Sequence, residues 1–99
     1  MVVKIAALKD GEEVAAGRSL ENGVVCEHGA TSRIHAIMRR EGKFLVLLDR
    51  GSRNGIFVNG QRKTFRASDS VQASPGDVVS LGSSSREATF RMPEFTAGV

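Results

Sequence analysis

The apolar residues of this chain are grouped in short runs, and no segment has the spacing of an amphipathic helix. The runs alternate with turn signals such as Asp10-Gly11 and Asn22-Gly23, a pattern typical of an all-β domain. The pattern predicts about ten short strands. The clearest candidates are Val2–Leu8, Val14–Ala16, Val24–Cys26, Ile34–Arg39, Lys43–Asp49, Ile56–Val58, Val71 with its neighbours, Val78–Leu81 and Thr89–Met92.

One of these runs is predicted to lie at the centre of a sheet. Phe44-Leu45-Val46-Leu47-Leu48 is apolar at every position, as expected of a strand that is buried on both faces. The preceding Arg40-Glu41-Gly42 predicts a tight hairpin turn. Two Asn-Gly pairs, Asn54-Gly55 and Asn59-Gly60, flank a later short strand and predict turns in which both residues have positive φ.

So many short strands in 99 residues predict two sheets packed face to face. The loops of such a β-sandwich collect at its ends, and functional residues are expected on loops that the sheets hold in place. We expect one domain over residues 1–99, with its core at about residues 2–92 and a tail at residues 93–99.

Composition and charge limit the possible functions. The chain has 14 Lys and Arg against 11 Asp and Glu, a net charge of +3, which is too small an excess to predict nucleic-acid binding. Five Phe residues with no Trp or Tyr also give few surfaces on which bases could stack. Most of the basic residues are arginines, whose planar guanidinium suits phosphate and carboxylate groups.

A single cysteine, Cys26, excludes an internal disulfide and is consistent with a reducing, intracellular compartment. Together with His28 it gives too few ligands for structural zinc, so we expect no metal and no cofactor. The apolar run Val2–Leu8 is too short for a signal peptide or a membrane span. These features predict a soluble protein that is not secreted and has no membrane partner.

Four motifs, in order, resemble the forkhead-associated (FHA) domain family. They are Gly17-Arg18-Ser19, then Thr31-Ser32-Arg33-Ile34-His35-Ala36, then the segment from Asp49-Arg50-Gly51-Ser52-Arg53-Asn54-Gly55 to Asn59-Gly60, and finally Pro75-Gly76-Asp77 with Leu81-Gly82. The resemblance implies an all-β, FHA/SMAD-like sandwich of about eleven strands. Its apical loops would bind phosphothreonine peptides and mediate phosphorylation-dependent protein interactions in signalling.

The resemblance also assigns roles to individual residues. Arg18 corresponds to the arginine that binds the phosphate, and Ser32 corresponds to the serine whose hydroxyl contacts the same group. Arg33 corresponds to a position that adds a polar contact, and Asn54 to the asparagine that holds the peptide backbone. Further positions are expected to support the loops from beneath or to permit their turns: Gly17, His35, Gly55 and Asn59.

The sequence departs from the family pattern at three positions near this site. Arg53 stands where the family usually has Thr or another small polar residue, so it either adds a third guanidinium to the site or points outward. In the first case, which we expect, the ligand would be enriched in acidic residues. Ile56 replaces a common Thr or Ser, and Thr31 replaces a usual apolar residue.

The same residues also bear on other classes of function. An enzyme is not expected, because Gly51-Ser52-Arg53-Asn54-Gly55 has its serine one position too early for a nucleophile elbow. The glycines at 55 and 60 are not followed at once by the Lys-Thr of a P-loop. The alternative that stays open is a phosphate-independent interaction or dimerisation scaffold. Family analogy slightly favours the nucleus over the cytoplasm. The 99 residues are compatible with a whole protein and with a module of a larger multidomain protein.

Overall fold

The computed structural model describes residues 2–96, and this part of the chain contains nine β-strands in two sheets. A short helix, α1 (Val2–Ala6), comes first, and a single 3₁₀ turn, η1 (Arg86–Ala88), precedes the last strand. The strands are β1 (Glu13–Gly17), β2 (Val24–Val25), β3 (Ala36–Glu41), β4 (Phe44–Asp49), β5 (Ile56–Val58), β6 (Gln61–Arg62), β7 (Ser70–Ala73), β8 (Val78–Leu81) and β9 (Thr89–Arg91). The predicted all-β, two-sheet sandwich is therefore confirmed, with nine strands in residues 2–96 where about eleven were expected.

The two sheets have five and four strands. The larger sheet has the order β2-β1-β3-β4-β7 and the smaller one β6-β5-β8-β9, and only the β1–β2 pair is parallel. Ala36 at the start of β3 pairs with Asp49 at the end of β4, so the loops beside these residues lie at one end of the sandwich. We call this end apical. The hydrogen bond between the ring of His35, just before β3, and the carbonyl of Gly55, just before β5, brings the turn before β5 to the same end.

The core lies between the two sheets and is built from alternate residues of the strands. Leu45 and Leu47 of β4 are fully buried, whereas Leu48 is 36% exposed. The prediction that this strand is buried on both faces is therefore wrong. In the described part of the chain no second layer covers the outer face of the five-stranded sheet, so Leu48 and its cross-strand partner Ile37 are not fully buried.

The predicted strand at Val2–Leu8 is also wrong, because this segment begins with helix α1. Ile5 and Leu8 are both buried in the core, and the Leu8 amide donates to the carbonyl of Ile5 at 3.1 Å. Residues three apart face the same way in a helical turn, whereas in a strand they would face opposite ways. None of the helical segments in residues 2–96 has the length and apolar character that crossing a bilayer requires.

The hairpin between β3 and β4 differs from the prediction at Arg40. Strand β3 continues through Arg40 and Glu41, and Gly42 makes the turn with a φ of 63°. Arg40 is only 3% exposed, and its guanidinium donates to the carbonyls of Leu8 at 2.9 Å and Gly42 at 2.8 Å. Its guanidinium carbon also lies 4.5 Å from the centre of the Phe95 ring. Arg40 is thus a buried structural residue.

The start of the predicted tail is attached to the domain. Phe95 packs against the core, and the Thr96 amide donates to the carbonyl of Ala6 at 2.8 Å. These contacts lie near the turn between β3 and β4, at the end of the sandwich opposite the apical loops. The other tail residues, 97–99, lie outside the described residues.

Candidate functional site

The five residues predicted to bind a phosphopeptide lie together at the apical end. Three segments meet there, which we call the first loop (residues 18–23), the second loop (residues 26–35) and the third loop (residues 50–55). They enclose an open pocket of about 200 Å³. Its lining residues are Arg18, Gly29, Ala30, Thr31, Ser32, Arg33, Arg53 and Asn54.

Arg18 is held in place by one side of its guanidinium. Its Nε donates to the carbonyl of Thr31 at 3.1 Å, and its backbone amide donates to the carbonyl of Ser32 at 2.9 Å. The two terminal nitrogens of Arg18 have no protein partner among residues 2–96. They therefore offer a fork of charged donors, fixed at its base, to a ligand in the pocket.

Ser32 and Asn54 each use part of their hydrogen-bonding capacity within the protein. The Ser32 hydroxyl oxygen accepts from the backbone amide of Arg53 at 3.2 Å, which leaves its O–H free to donate. Asn54 donates from Nδ2 to the carbonyl of Ala30 at 2.8 Å, which leaves Oδ1 free to accept a peptide N–H. The pocket thus has a fixed hydroxyl donor and a fixed amide acceptor side by side.

Arg33 and Arg53 extend the positive charge of the pocket. Both are exposed, and neither side chain has an ion pair or hydrogen bond with any residue the structure describes. Within residues 2–96 the ion pairs join Arg39 to Glu13 and Glu41, on a different face. The eight described residues that line the apical pocket include three arginines and no carboxylate. The pocket is therefore suited to binding an anion.

His35 lies beneath the pocket and connects two of its loops. Its Nδ1 accepts from the Ser32 amide at 3.0 Å, so in the neutral ring Nε2 carries the proton and donates to the carbonyl of Gly55 at 2.6 Å. The side chain is completely buried. Burial lowers the pKa of His35, against the opposing effects of the Gly55 hydrogen bond and the charge of Asp49. The neutral ring therefore fits both of its partners.

Asp49 organises the third loop from below, a role that was not predicted. Its Oδ1 accepts from the Ser52 amide at 2.6 Å, and its Oδ2 accepts from the hydroxyls of Ser52 at 2.8 Å and Thr64 at 2.5 Å. The Ser52 hydroxyl in turn accepts from the Gly55 amide at 3.0 Å. An Asp followed three residues later by Ser is a local signal for such a turn. Nothing local signals Thr64, which is 15 residues away along the chain.

Two more polar residues hold the second loop and were not assigned to the site. Thr31 is buried, and its hydroxyl donates to the carbonyl of Leu81 at 2.7 Å, which explains why a polar side chain fits there. Asn22 donates from Nδ2 to the carbonyls of Arg33 at 2.6 Å and Ser19 at 3.0 Å. The prediction of a turn at Asn22-Gly23 did not include this contact between loops.

The predicted supporting residues have two different placements. A Cβ on Gly17 would collide with the carbonyl of Arg33, and one on Gly55 would lie 2.6 Å from the carbonyl of Thr64, so both glycines permit close loop packing. Asn59 instead lies at the far end of β5, where its Oδ1 accepts from the Val78 amide at 2.9 Å. It takes no part in the pocket.

No metal centre accompanies this pocket in the described residues, where no group of three or more His, Cys, Asp or Glu side chains could hold an ion. Cys26 lies in the core, and burial raises the pKa of its thiol. His28 is engaged in the second loop, where its Nδ1 accepts from the Ala30 amide at 3.0 Å. The polar side chains that line the pocket are guanidinium, hydroxyl and amide groups.

The sequence is similar to one protein family and to a curated protein. The FHA-domain family model matches residues 14–82. The oxoglutarate dehydrogenase inhibitor of Corynebacterium jeikeium is 36% identical over 75 residues, which are 76% of this chain and 49% of that protein. The chain thus spans about half the length of this curated relative. A bacterial relative of this kind does not support the predicted nuclear location.

Solved FHA-domain structures have a similar fold. The FHA domain of the CT664 protein from Chlamydia trachomatis has a TM-score of 0.73 and 23% identity, over 90% of this chain and 82% of that chain. A structure from an analysis of phosphothreonine-dependent FHA domain interactions has a TM-score of 0.60 and 29% identity, over 76% of this chain and 72% of that one. The first shows the shared fold.

Proposed function

The chain belongs to the FHA-domain family, and we propose that its apical pocket binds phosphothreonine-containing segments of partner proteins. FHA domains are phosphopeptide-binding modules rather than enzymes. The observation that carries the proposal is the set of free donors in one pocket, namely the terminal nitrogens of Arg18 and the hydroxyl of Ser32, with Arg33 and Arg53 beside them.

The charge of the ligand supports this assignment. A phosphothreonine has a charge of about −1.5 to −2 at pH 7 and three strong acceptor oxygens. Charge-assisted hydrogen bonds contribute about 1.5–3 kcal/mol each. Loss of two or three of them on dephosphorylation would cost about 4–6 kcal/mol, or about a thousandfold in affinity or more. Binding would then follow the action of a kinase on the partner, which also favours an intracellular location.

The peptide backbone next to the phosphothreonine is assigned to Asn54. Its Nδ2 is already bonded to Ala30, so its free Oδ1 would accept a backbone N–H of the ligand. Such a contact fixes the direction of the peptide without reading its side chains. Specificity for the phosphorylated residue would then come from Arg18 and Ser32.

The test is fluorescence-anisotropy binding to one degenerate peptide library made in phosphothreonine, phosphoserine and unphosphorylated forms. We expect binding that requires phosphate and is tighter for phosphothreonine. The Arg18→Ala protein should bind about a hundredfold more weakly, because it loses two charge-assisted hydrogen bonds.

Arg66→Ala is the matched control, because Arg66 is an exposed arginine outside the pocket lining. It should bind within about threefold of the unchanged protein, as expected for one surface charge. Circular dichroism would verify that each variant is folded. A folded, unchanged protein that binds all three libraries equally would contradict the proposal and leave the phosphate-independent scaffold as the better account.

A further inference from the structure

We propose that the pocket selects phosphopeptides in which a second anionic group lies within a few residues of the phosphothreonine. This inference rests on the proposed function and concerns the class of ligand that the site prefers. The charges of the pocket support it. Three of its eight lining residues are arginines, Arg18, Arg33 and Arg53, and none of the eight is acidic.

These arginines are not neutralised elsewhere in the part of the chain that the structure describes. The ion pairs there involve Arg39. Asp49, the acidic residue beneath the third loop, is buried and accepts from Ser52 and Thr64. Three guanidinium groups around one pocket repel one another, and this repulsion is relieved when anions bind.

The three arginines also differ in how they are held. Arg18 is fixed at Nε by the Thr31 carbonyl and points a free fork at the ligand, as a phosphate-binding arginine requires. Arg33 and Arg53 have no such attachment of their guanidinium groups in residues 2–96. Side chains without an internal partner can adjust to a group whose position varies between ligands.

The backbones of Arg33 and Arg53 are nevertheless fixed beside the expected phosphate position. Arg33 directly follows Ser32, and the amide of Arg53 donates to the Ser32 hydroxyl oxygen at 3.2 Å. Arg53 also directly precedes Asn54, the residue assigned to the peptide backbone. The backbone positions of Arg33 and Arg53 would therefore allow their guanidinium groups to reach the residues that flank the phosphothreonine in a bound peptide.

The positive charge of the pocket exceeds the negative charge of one phosphothreonine, which indicates that a bound peptide carries one further anionic group. A phosphothreonine supplies about −1.5 to −2, whereas the three arginines supply +3. A carboxylate or a second phosphate next to the phosphothreonine would balance the remainder. The shared chemistry is an anionic group that can accept from a guanidinium fork.

The experiment measures Kd for a phosphothreonine peptide with otherwise neutral residues. Asp is placed singly at each of three positions on either side and is compared with Asn, which has the same shape but no charge. A second arm places phosphoserine at the best position, to separate a carboxylate from a second phosphate. We expect Asp to tighten binding about fivefold at one or more positions, as for a single exposed ion pair at its upper range.

The protein variants assign the effect to residues. The gain from Asp should disappear in Arg33→Gln or Arg53→Gln. It should persist in Arg66→Gln, which removes the same charge outside the pocket. Equal Kd values for Asp and Asn peptides, with phosphate still required, would overturn this inference but leave the proposed function intact.

Two other outcomes would also overturn the inference. An equal loss of the gain in Arg66→Gln would attribute it to the overall charge of the protein rather than to the pocket. The absence of phosphate-dependent binding to every peptide would instead contradict the proposed function itself, and the inference with it. The phosphoserine arm decides the form of the second anion. A larger gain than with Asp would identify doubly phosphorylated segments as the better ligands.

Discussion

The apical end of the sandwich contains two layers that differ in how their polar groups are satisfied. In the lower layer His35, Asp49, Ser52 and Thr64 are buried and bonded to one another or to the backbone. Across residues 2–96 no buried side-chain nitrogen or oxygen lacks a hydrogen-bond partner. In the upper layer Arg33 and Arg53, by contrast, are exposed and have no protein partner there.

The difference separates stability from binding. A buried donor or acceptor without a partner costs about 1–3 kcal/mol, so the lower layer must satisfy itself before any ligand arrives. Exposed guanidinium groups are solvated by water and can remain unpaired at little cost. Substitutions in the lower layer should therefore change the free energy of unfolding, whereas substitutions in the upper layer should change only the affinity for the ligand.

The largest effect is expected for Asp49→Ala. This change leaves the Ser52 amide and the hydroxyls of Ser52 and Thr64 without their acceptor. The free energy of unfolding should fall by about 3 kcal/mol or more, measured by urea denaturation. Asp10→Ala is the control, because the exposed Asp10 accepts one bond, from the Gly42 amide, and should cost less than about 1 kcal/mol. Similar losses in the two variants would remove the distinction between the layers.

An intermediate effect is expected from protonation of His35. Its pKa is lowered by burial, so the unfolded chain binds the proton more tightly than the folded one. The stabilisation is complete above the unfolded pKa of about 6.5. It is lost as pH falls from there towards the lower folded pKa, by up to about 1.4 kcal/mol per pH unit.

Urea denaturation of the free protein between pH 8 and pH 5.5 would measure this dependence. Protonation of Nδ1 would remove the acceptor of the Ser32 amide, so the acid form should also loosen the second loop. His35→Gln is the control, since it lacks the titrating ring but keeps His28. An equal pH slope in both proteins would show that His35 does not contribute.

The smallest effect is expected for Arg53→Gln. The Arg53 side chain has no partner in the described residues, so the free energy of unfolding should change by less than about 0.5 kcal/mol. The same protein should lose the preference for acidic peptides. Thermal unfolding followed by circular dichroism would check the first statement. A loss of 2 kcal/mol would mean that Arg53 belongs functionally to the lower layer.

The sequence alone was sufficient for the sandwich and for five of the eight residues that line the pocket. Short apolar runs and turn signals are local properties, and they correctly predicted strands such as β5 and β8. The order of the motifs correctly predicted that Arg18, Ser32 and Asn54 would meet in one pocket. This succeeded because each motif lies at the end of a strand, and the sheets bring those ends together.

Other features were decided only when the segments packed. Helix α1 replaced a predicted strand because the core takes both Ile5 and Leu8 from one face of a turn. Leu48 remained partly exposed because no described layer covers its face of the sheet. Arg40 became a buried residue because the carbonyl of Leu8 and the ring of Phe95 lie beside it.

The same limit explains the lower layer of the site. Asp49 and Thr64 are 15 residues apart, and His35 and Gly55 are 20 apart, yet each pair shares a buried hydrogen bond. The residue types at these positions show that the side chains are polar, but they do not show which residue each side chain is hydrogen-bonded to. Periodicity and turn chemistry act over a few neighbouring residues, so the sequence determined the strands and the motifs. Which buried donor meets which acceptor depends on how distant segments pack, and only the tertiary structure decided it.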